Sequence, residues 1–128
     1  MFNSNTKPFQ DILYIDLSVD KIPAIERNLK DYCHTLHVQK EFFEIMWTII
    51  RKKPTIVFVH INTFDEKCRK IAEIMINRQA KLVFLVDKDS STSIEELHNH
   101  CDDVLKIPTE FHQLNLLMNL YEMDLQFA

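Results

Sequence analysis

Residues 54–62 read PTIVFVHIN. From Thr55 to His60 every residue is β-branched, aromatic or otherwise strand-favouring, no turn former interrupts them, and Pro54 marks the loop that feeds the run. A strand that is apolar on both faces belongs at the centre of a parallel sheet covered by helices on both sides. The run ends in a histidine, His60, and that residue decides much of what the chain can do.

Outward from this strand the same unit recurs. Residues 11–17 (DILYIDL) and 81–86 (KLVFLV) read as two further apolar strands, with shorter ones at 34–38 and 103–107. Helical spacing links Ile22, Ile25, Leu29 and Tyr32, then Phe42, Ile45, Met46 and Ile49, then Cys68, Ile71, Ala72 and Met75. Ser93, with Glu96 three residues on, is a capping box ahead of Leu97, and a fifth helix runs from about Thr109 to near the end. Strand followed by helix five times over predicts a doubly wound α/β domain with a parallel sheet and right-handed crossovers. Residues 1–10 (MFNSNTKPFQ) read as a flexible lead-in and 11–128 as a single domain.

Composition narrows the function. A chain of 128 residues, 46% hydrophobic, suits one core rather than two. The lead-in has no basic segment followed by an apolar run, and no stretch approaches the ~20 apolar residues that span a bilayer. Cys33, Cys68 and Cys101 are an odd number and lie in or beside apolar elements, which argues against a disulfide framework and for the cytoplasm. Glycine is absent. Loops that cradle dinucleotides or nucleoside triphosphates need glycine so that backbone amides can approach phosphate, so those cofactor sites are excluded, and no other cofactor is signalled. A net charge of −4 argues against nucleic acid as partner. Lys67, Arg69, Lys70, Arg78 and Lys81 form a local basic cluster, but Asp65, Glu66 and Glu73 are interleaved with it, as on a solvated helix face.

With five strand–helix units in about this length, the chain resembles the CheY-like receiver domain of bacterial response regulators over nearly its whole extent. Strand one, Ile12 to Asp16, is similar to the family's apolar strand running into an acidic pair, with Leu17 in place of the second acid. Strand three puts His60 where the family has its phosphoacceptor aspartate. Strand four, expected to end in Ser or Thr, has Val86 there, followed by Asp87. Residues 101–108 (CDDVLKIP) resemble the family's strand-five segment, but Ile107 replaces the lysine before the proline. The resemblance implies a flavodoxin-like sheet of order 2-1-3-4-5 and a degenerate phosphoacceptor pocket made of Asp16, Leu17, His60, Val86 and Ile107.

Phosphoryl transfer to a carboxylate needs an ionised Asp as nucleophile, an acidic pair for Mg²⁺, and a cation and a hydroxyl to stabilise and sense the product. An imidazole at position 60 forms no acyl phosphate, Asp16 alone is a poor magnesium site, and Lys106 is one residue out of register, on the opposite face of its strand. Asp65 belongs to the start of helix three, where the dipole favours an acid, and Asp87 with Asp89 and Ser90 reads as a polar loop. The bland alternative for His60 is a partly buried histidine bonded to Asp16. Cys33, His34 and His37, and His98, His100, Cys101 and Asp102, contain zinc-type ligands at close spacing but lack paired CxxC or HxxxH geometry, so no metal site is expected.

The last helix carries the positive signal. Phe111, Leu114, Met118, Tyr121 and Leu125 form one apolar stripe, and Leu116, Leu120, Met123 and Phe127 a second on nearly the opposite side. Only one stripe can face the sheet. The other is either covered by the N-terminal segment, through Phe2 or Phe9, or by a further domain, or it is an interface. The resemblance implies signalling and dimerisation through helix four, strand five and helix five, here Leu97, Val104, Ile107 and the outer side of the last helix; Val104 also replaces the family's aromatic switch residue. The expectation is a non-enzymatic pseudo-receiver, binding protein partners in bacterial signal transduction and forming a homodimer through helix five, with no nucleic-acid or membrane partner. Two alternatives stay open: a receiver with unorthodox phosphoacceptor chemistry at His60 or a neighbouring Asp, and a small-ligand sensor using the former active-site pocket.

Overall fold

Successive side chains of a strand leave on opposite faces of the sheet, and in the central strands both sets are apolar. The computed structural model describes residues 7–18, 23–88, 90, 92–107 and 111–127. Its elements are β1 (Phe9–Asp16), α1 (Pro23–Lys30), β2 (Cys33–Gln39), α2 (Phe42–Lys52), β3 (Ile56–Ile61), α3 (Glu66–Met75), β4 (Lys81–Asp87), α4 (Ile94–His98), β5 (Asp103–Ile107) and α5 (Phe111–Phe127). The strands pair in parallel in the order β2-β1-β3-β4-β5, as expected for the doubly wound fold.

All six residues of β3 are buried. On one face Ile56 and Phe58, with Ile12, Tyr14, Val83 and Leu85, pack against Ile25 and Leu29 of α1 and Leu114, Leu117, Met118 and Tyr121 of α5. On the other, Val57, Val59 and Ile61 pack with Ile45 and Ile49 of α2, Cys68, Ile71 and Met75 of α3, and Leu97 of α4. Each such aliphatic or aromatic side chain contributes about 1.5–3 kcal/mol by leaving water, so the sheet with both helical layers is the core.

Several boundaries differ from expectation. Strand β1 opens at Phe9, which is 1% exposed and donates its N–H to the Tyr32 carbonyl at 3.0 Å. Burial of this ring draws residues 9 and 10 out of the expected lead-in and into the sheet, and it leaves Phe9 unavailable to cover the outer side of α5; Phe2 lies outside the described residues. The strand ends at Asp16 rather than Leu17. Helix α3 is capped by Asp65, whose side chain accepts from the Cys68 N–H at 3.1 Å, and α4 by Ser93, which accepts from the Glu96 N–H at 3.3 Å. Helix α2 ends in a left-handed residue, Lys53 (φ 49°, ψ 59°). Glycine normally fills that role, and a side-chain-bearing residue there costs about 1 kcal/mol.

Helix α5 is tied down by polar contacts at both ends. Tyr32 donates its hydroxyl to Asn115, and Tyr121 donates to Asp103. The Lys81 ammonium lies 5.6 Å from the Tyr121 ring centroid and 3.4 Å from an Asp124 oxygen. Because Lys81 is the first residue of β4, the last turn of α5 reaches the amino-terminal edge of the sheet. That is why Leu125, expected on the core stripe, is 47% exposed, while Leu117 is buried instead.

Candidate functional site

In a sheet of this order the winding of successive strands reverses between β1 and β3, and the carboxyl ends of those parallel strands open a crevice where such folds place their ligands. Asp16, the last residue of β1, is in register with His60 of β3. Leu17 N–H donates to the His60 carbonyl at 2.9 Å, so β1 and β3 stay paired up to the site. The third member comes from β4, which runs one residue further than expected and ends at Asp87 rather than in a loop.

His60 is completely buried. Its Nδ1 is 3.4 Å from the Tyr14 hydroxyl and 3.9 Å from Asp16 Oδ1, and its Nε2 is 3.6 Å from Asp87 Oδ1. The imidazole therefore lies between two carboxylates without a hydrogen bond to either, and Asp16 Oδ1 and His60 Nε2 are both buried with no hydrogen-bond partner among the described residues. The expected direct bond from His60 to Asp16 is replaced by the Tyr14 contact. Burial first, then the Asp16 and Glu26 carboxylates, pushes the Tyr14 phenol well above its ordinary value, so it stays a neutral hydroxyl. Asp87 is the most accessible of the set, its side chain 27% exposed, and Asn62 Nδ2 donates to its other oxygen at 3.0 Å. Ser90 Oγ in turn donates to the Asn62 carbonyl at 2.8 Å.

The expected pocket is divided by the pleat. Asp16, His60 and Ile107 belong to the face covered by α1 and α5, whereas Val86 is 2% exposed and packs into the α2–α4 layer with Leu17 at its margin. At the end of β4 it is Asp87, in register with Ile107, that shares the face of Asp16 and His60. A one-residue difference in register moves a side chain to the opposite face. The same alternation leaves Lys106 exposed while Ile107 is buried, so the lysine does not share the face of Asp16 and His60.

The chemistry follows from access. An imidazole with no exposed surface cannot meet a phosphoryl donor in line. Among the described residues no three His, Cys, Asp or Glu side chains are grouped to hold a metal ion. A hollow of about 360 Å³ beside the site is lined by Asp87, Lys88, Ser90, Thr92, Glu95 and Lys106 among others. Its lining is mainly polar, with Val86 and Ile94 as its apolar members. A larger hollow of about 430 Å³, between α3 and the turn after α4, shares no residue with the site.

The expected interaction face is partly open. Leu116, Leu120 and Met123 are 61%, 50% and 52% exposed on the side of α5 that faces away from the sheet. Leu97 does not join them. It is fully buried, because α4 is only five residues long and Leu97 is the side chain that anchors it to the sheet. Val104 is partly buried against the same layer, Ile107 is 4% exposed, and the side chain of Phe127 lies outside the described residues. The zinc-type clusters are dispersed: His37 Nε2 contacts Asp11 at 2.8 Å, and His100 stacks on Phe64 at 4.8 Å.

One face went unread in the sequence. Phe43, Trp47 and Ile50 are 79%, 47% and 52% exposed on α2, directly opposite its buried Ile45, Thr48 and Ile49. Their i, i+4, i+7 spacing is the same signal that marked the core side of that helix. Tracing only the first stripe hid the second.

No family model and no curated protein matches the sequence. Solved structures do match. The signal receiver domain of a protein described as a Luxo repressor from Vibrio parahaemolyticus superposes with a TM-score of 0.72 at 12% identity, over 92% of this chain and 93% of that one. A response regulator receiver modulated diguanylate cyclase from Pelobacter carbinolicus gives 0.69 at 16% identity, over 92% and 96%. A pilus assembly-related protein from Burkholderia pseudomallei K96243 gives 0.66 at 14%, over 95% and 96%. The chain therefore has the fold of response-regulator receiver domains.

Proposed function

We propose that this chain is a phosphorylation-independent receiver-like module of bacterial signal transduction, working in the cytoplasm by protein–protein contact and self-associating through the outer face of α5. The observation that carries this reading is the exposed stripe of Leu116, Leu120 and Met123 on a helix whose other side is already packed on the sheet. Three large apolar side chains at i, i+4 and i+7 expose on the order of 300 Å² of contiguous apolar surface, the size of patch that marks contact sites on soluble proteins. Silence of the phosphoacceptor pocket is supported by the burial of His60, by the missing second acid at Leu17, and by Ile107 in the lysine position. With neither trigger nor aromatic switch, phosphate has no two-state element to bias. Analytical ultracentrifugation of Leu120→Glu tests the interface. The variant should sediment as a monomer at concentrations where wild type associates, and a wild type that stays monomeric at hundreds of micromolar would end the proposal.

A further inference from the structure

A surface helix that is apolar on its outer side as well as its inner side behaves as a helix that is covered in the working assembly. Helix α2 is such a helix. Ile45, Thr48 and Ile49 take the sheet side, Phe42 and Met46 are half-buried beside them, and the direction farthest from the sheet holds Phe43, Trp47 and Ile50. Helix α5 repeats the pattern on the other layer of the molecule with Leu116, Leu120 and Met123, at the same i, i+4, i+7 spacing over two turns. Because α2 and α5 lie on opposite faces of the sheet, the two stripes point away from each other and cannot cover one another within one chain.

Their charges are complementary. Helix α2 ends in Arg51 and Lys52, followed by Lys53, all exposed, and the Lys52 ammonium lies 5.9 Å from the Trp47 ring centroid, so the apolar stripe carries a cation on its rim. Helix α5 has no Lys or Arg, and its last turns carry Glu122 and Asp124. Acids at a helix carboxyl end oppose the helix dipole. Lys81 offsets only Asp124, at 3.4 Å. Laid side by side in the same direction, the two helices would match stripe to stripe and basic end to acidic end. Joining the stripes removes roughly 600 Å² of apolar surface before the polar rim is counted, which reaches the lower range of specific interfaces once the rim is included.

We propose that the outer face of α2 is the docking surface for the outer face of α5 of a second copy of this chain, so that self-association is head-to-tail. The inference rests on the reading of α5 as a self-association face and supplies that face with its partner. A heterologous contact of this kind does not close on two copies, so it builds rings or open chains rather than a two-fold dimer. Either face, once engaged, leaves the other available for the next copy.

Complementation between two broken faces tests this. Phe43→Glu spoils α2 and Leu120→Glu spoils α5, both at exposed positions, with circular dichroism confirming that each variant is folded. Sedimentation velocity is run on wild type, on each variant and on their equimolar mixture. Trp47, the only tryptophan, reports separately by fluorescence. Head-to-tail docking predicts that wild type grows past a dimer with concentration and that each variant alone is monomeric. The mixture should form a one-to-one dimer at least tenfold tighter than either variant, with a blue-shifted Trp47 emission. If Phe43→Glu associates like wild type while Leu120→Glu is monomeric, the inference falls and α5 pairs with itself. If Leu120→Glu associates like wild type, the α5 reading falls as well. Two monomeric variants that fail to complement would also overturn head-to-tail docking.

Discussion

Thr48 offers a perturbation that separates the stability of α2 from its outer face. Its side chain points at the sheet, is completely buried, and its hydroxyl has no hydrogen-bond partner among the described residues, not even the carbonyl one turn back that a helical threonine often uses. An unsatisfied buried hydroxyl costs about 1–3 kcal/mol. Thr48→Val keeps the branched shape and similar helix propensity, removes that cost and adds a buried methyl, so folding should gain about 1–2 kcal/mol. An unfolding entropy of roughly 2.1 cal/mol/K per residue over a chain of this length converts each kcal/mol into about 4 °C, and Tm should rise by about 4–8 °C. The assay is thermal and urea unfolding followed by circular dichroism at one fixed protein concentration, since association itself raises Tm. Phe43, Trp47 and Ile50 lie on the far side of the helix, so sedimentation of Thr48→Val should match wild type. An unchanged or lowered Tm would refute the reasoning and place a partner, such as an ordered water, on the hydroxyl.

Three further outcomes follow from the structure. Tyr121→Phe should lose about 1.5–3 kcal/mol in urea unfolding, because it removes a hydroxyl that donates to the Asp103 carboxylate. Asp65→Ala should cost about 1 kcal/mol at neutral pH as a lost helix cap. Partial burial opposes the Asp65 charge, but the Cys68 backbone and side-chain hydrogen bonds and the Lys67 backbone and charge outweigh it and hold the carboxyl below its ordinary value. A depressed folded-state value means that this stability is present above the unfolded carboxyl's titration, near pH 4, and disappears as pH falls through the folded one. Wild type and variant should therefore converge in stability at strongly acidic pH. Burial pushes Cys33 up to about 11 and Cys68 and Cys101 up to about 12, so a disulfide reagent at pH 8 should find the native thiols unreactive and titrate three on unfolding.

The layers of the fold were legible because the signals were redundant. Unbroken apolar strands at 56–61 and 81–86, alternating with amphipathic helices, leave the doubly wound sheet as their arrangement. Helix starts marked by Asp65 and Ser93 were equally plain, since a short polar side chain has one obvious use there. Failures came where a single residue decides the face. Val86 and Asp87 are adjacent, the second is polar and followed by a polar loop, and nothing in the sequence says that pairing with Ile107 holds it in the strand. Leu97 was assigned to an interface by position in the fold, whereas its burial depends on how short α4 is. Phe9 looked like lead-in because the residues around it are polar. The outer stripe of α2 is legible in Phe43, Trp47 and Ile50, since one satisfied periodicity on a helix does not exclude a second.

Silence of the phosphoacceptor pocket is tested most directly by heteronuclear NMR of the chain titrated with Mg²⁺ and then with beryllofluoride, a mimic of the acyl phosphate. With His60 fully enclosed between Asp16 and Asp87, and no second acid at Leu17, neither addition should move the backbone resonances of residues 16, 17, 60 and 87. Saturable shifts clustered at those positions would mean that the pocket still accepts a phosphoryl group, and the phosphorylation-independent assignment would be contradicted.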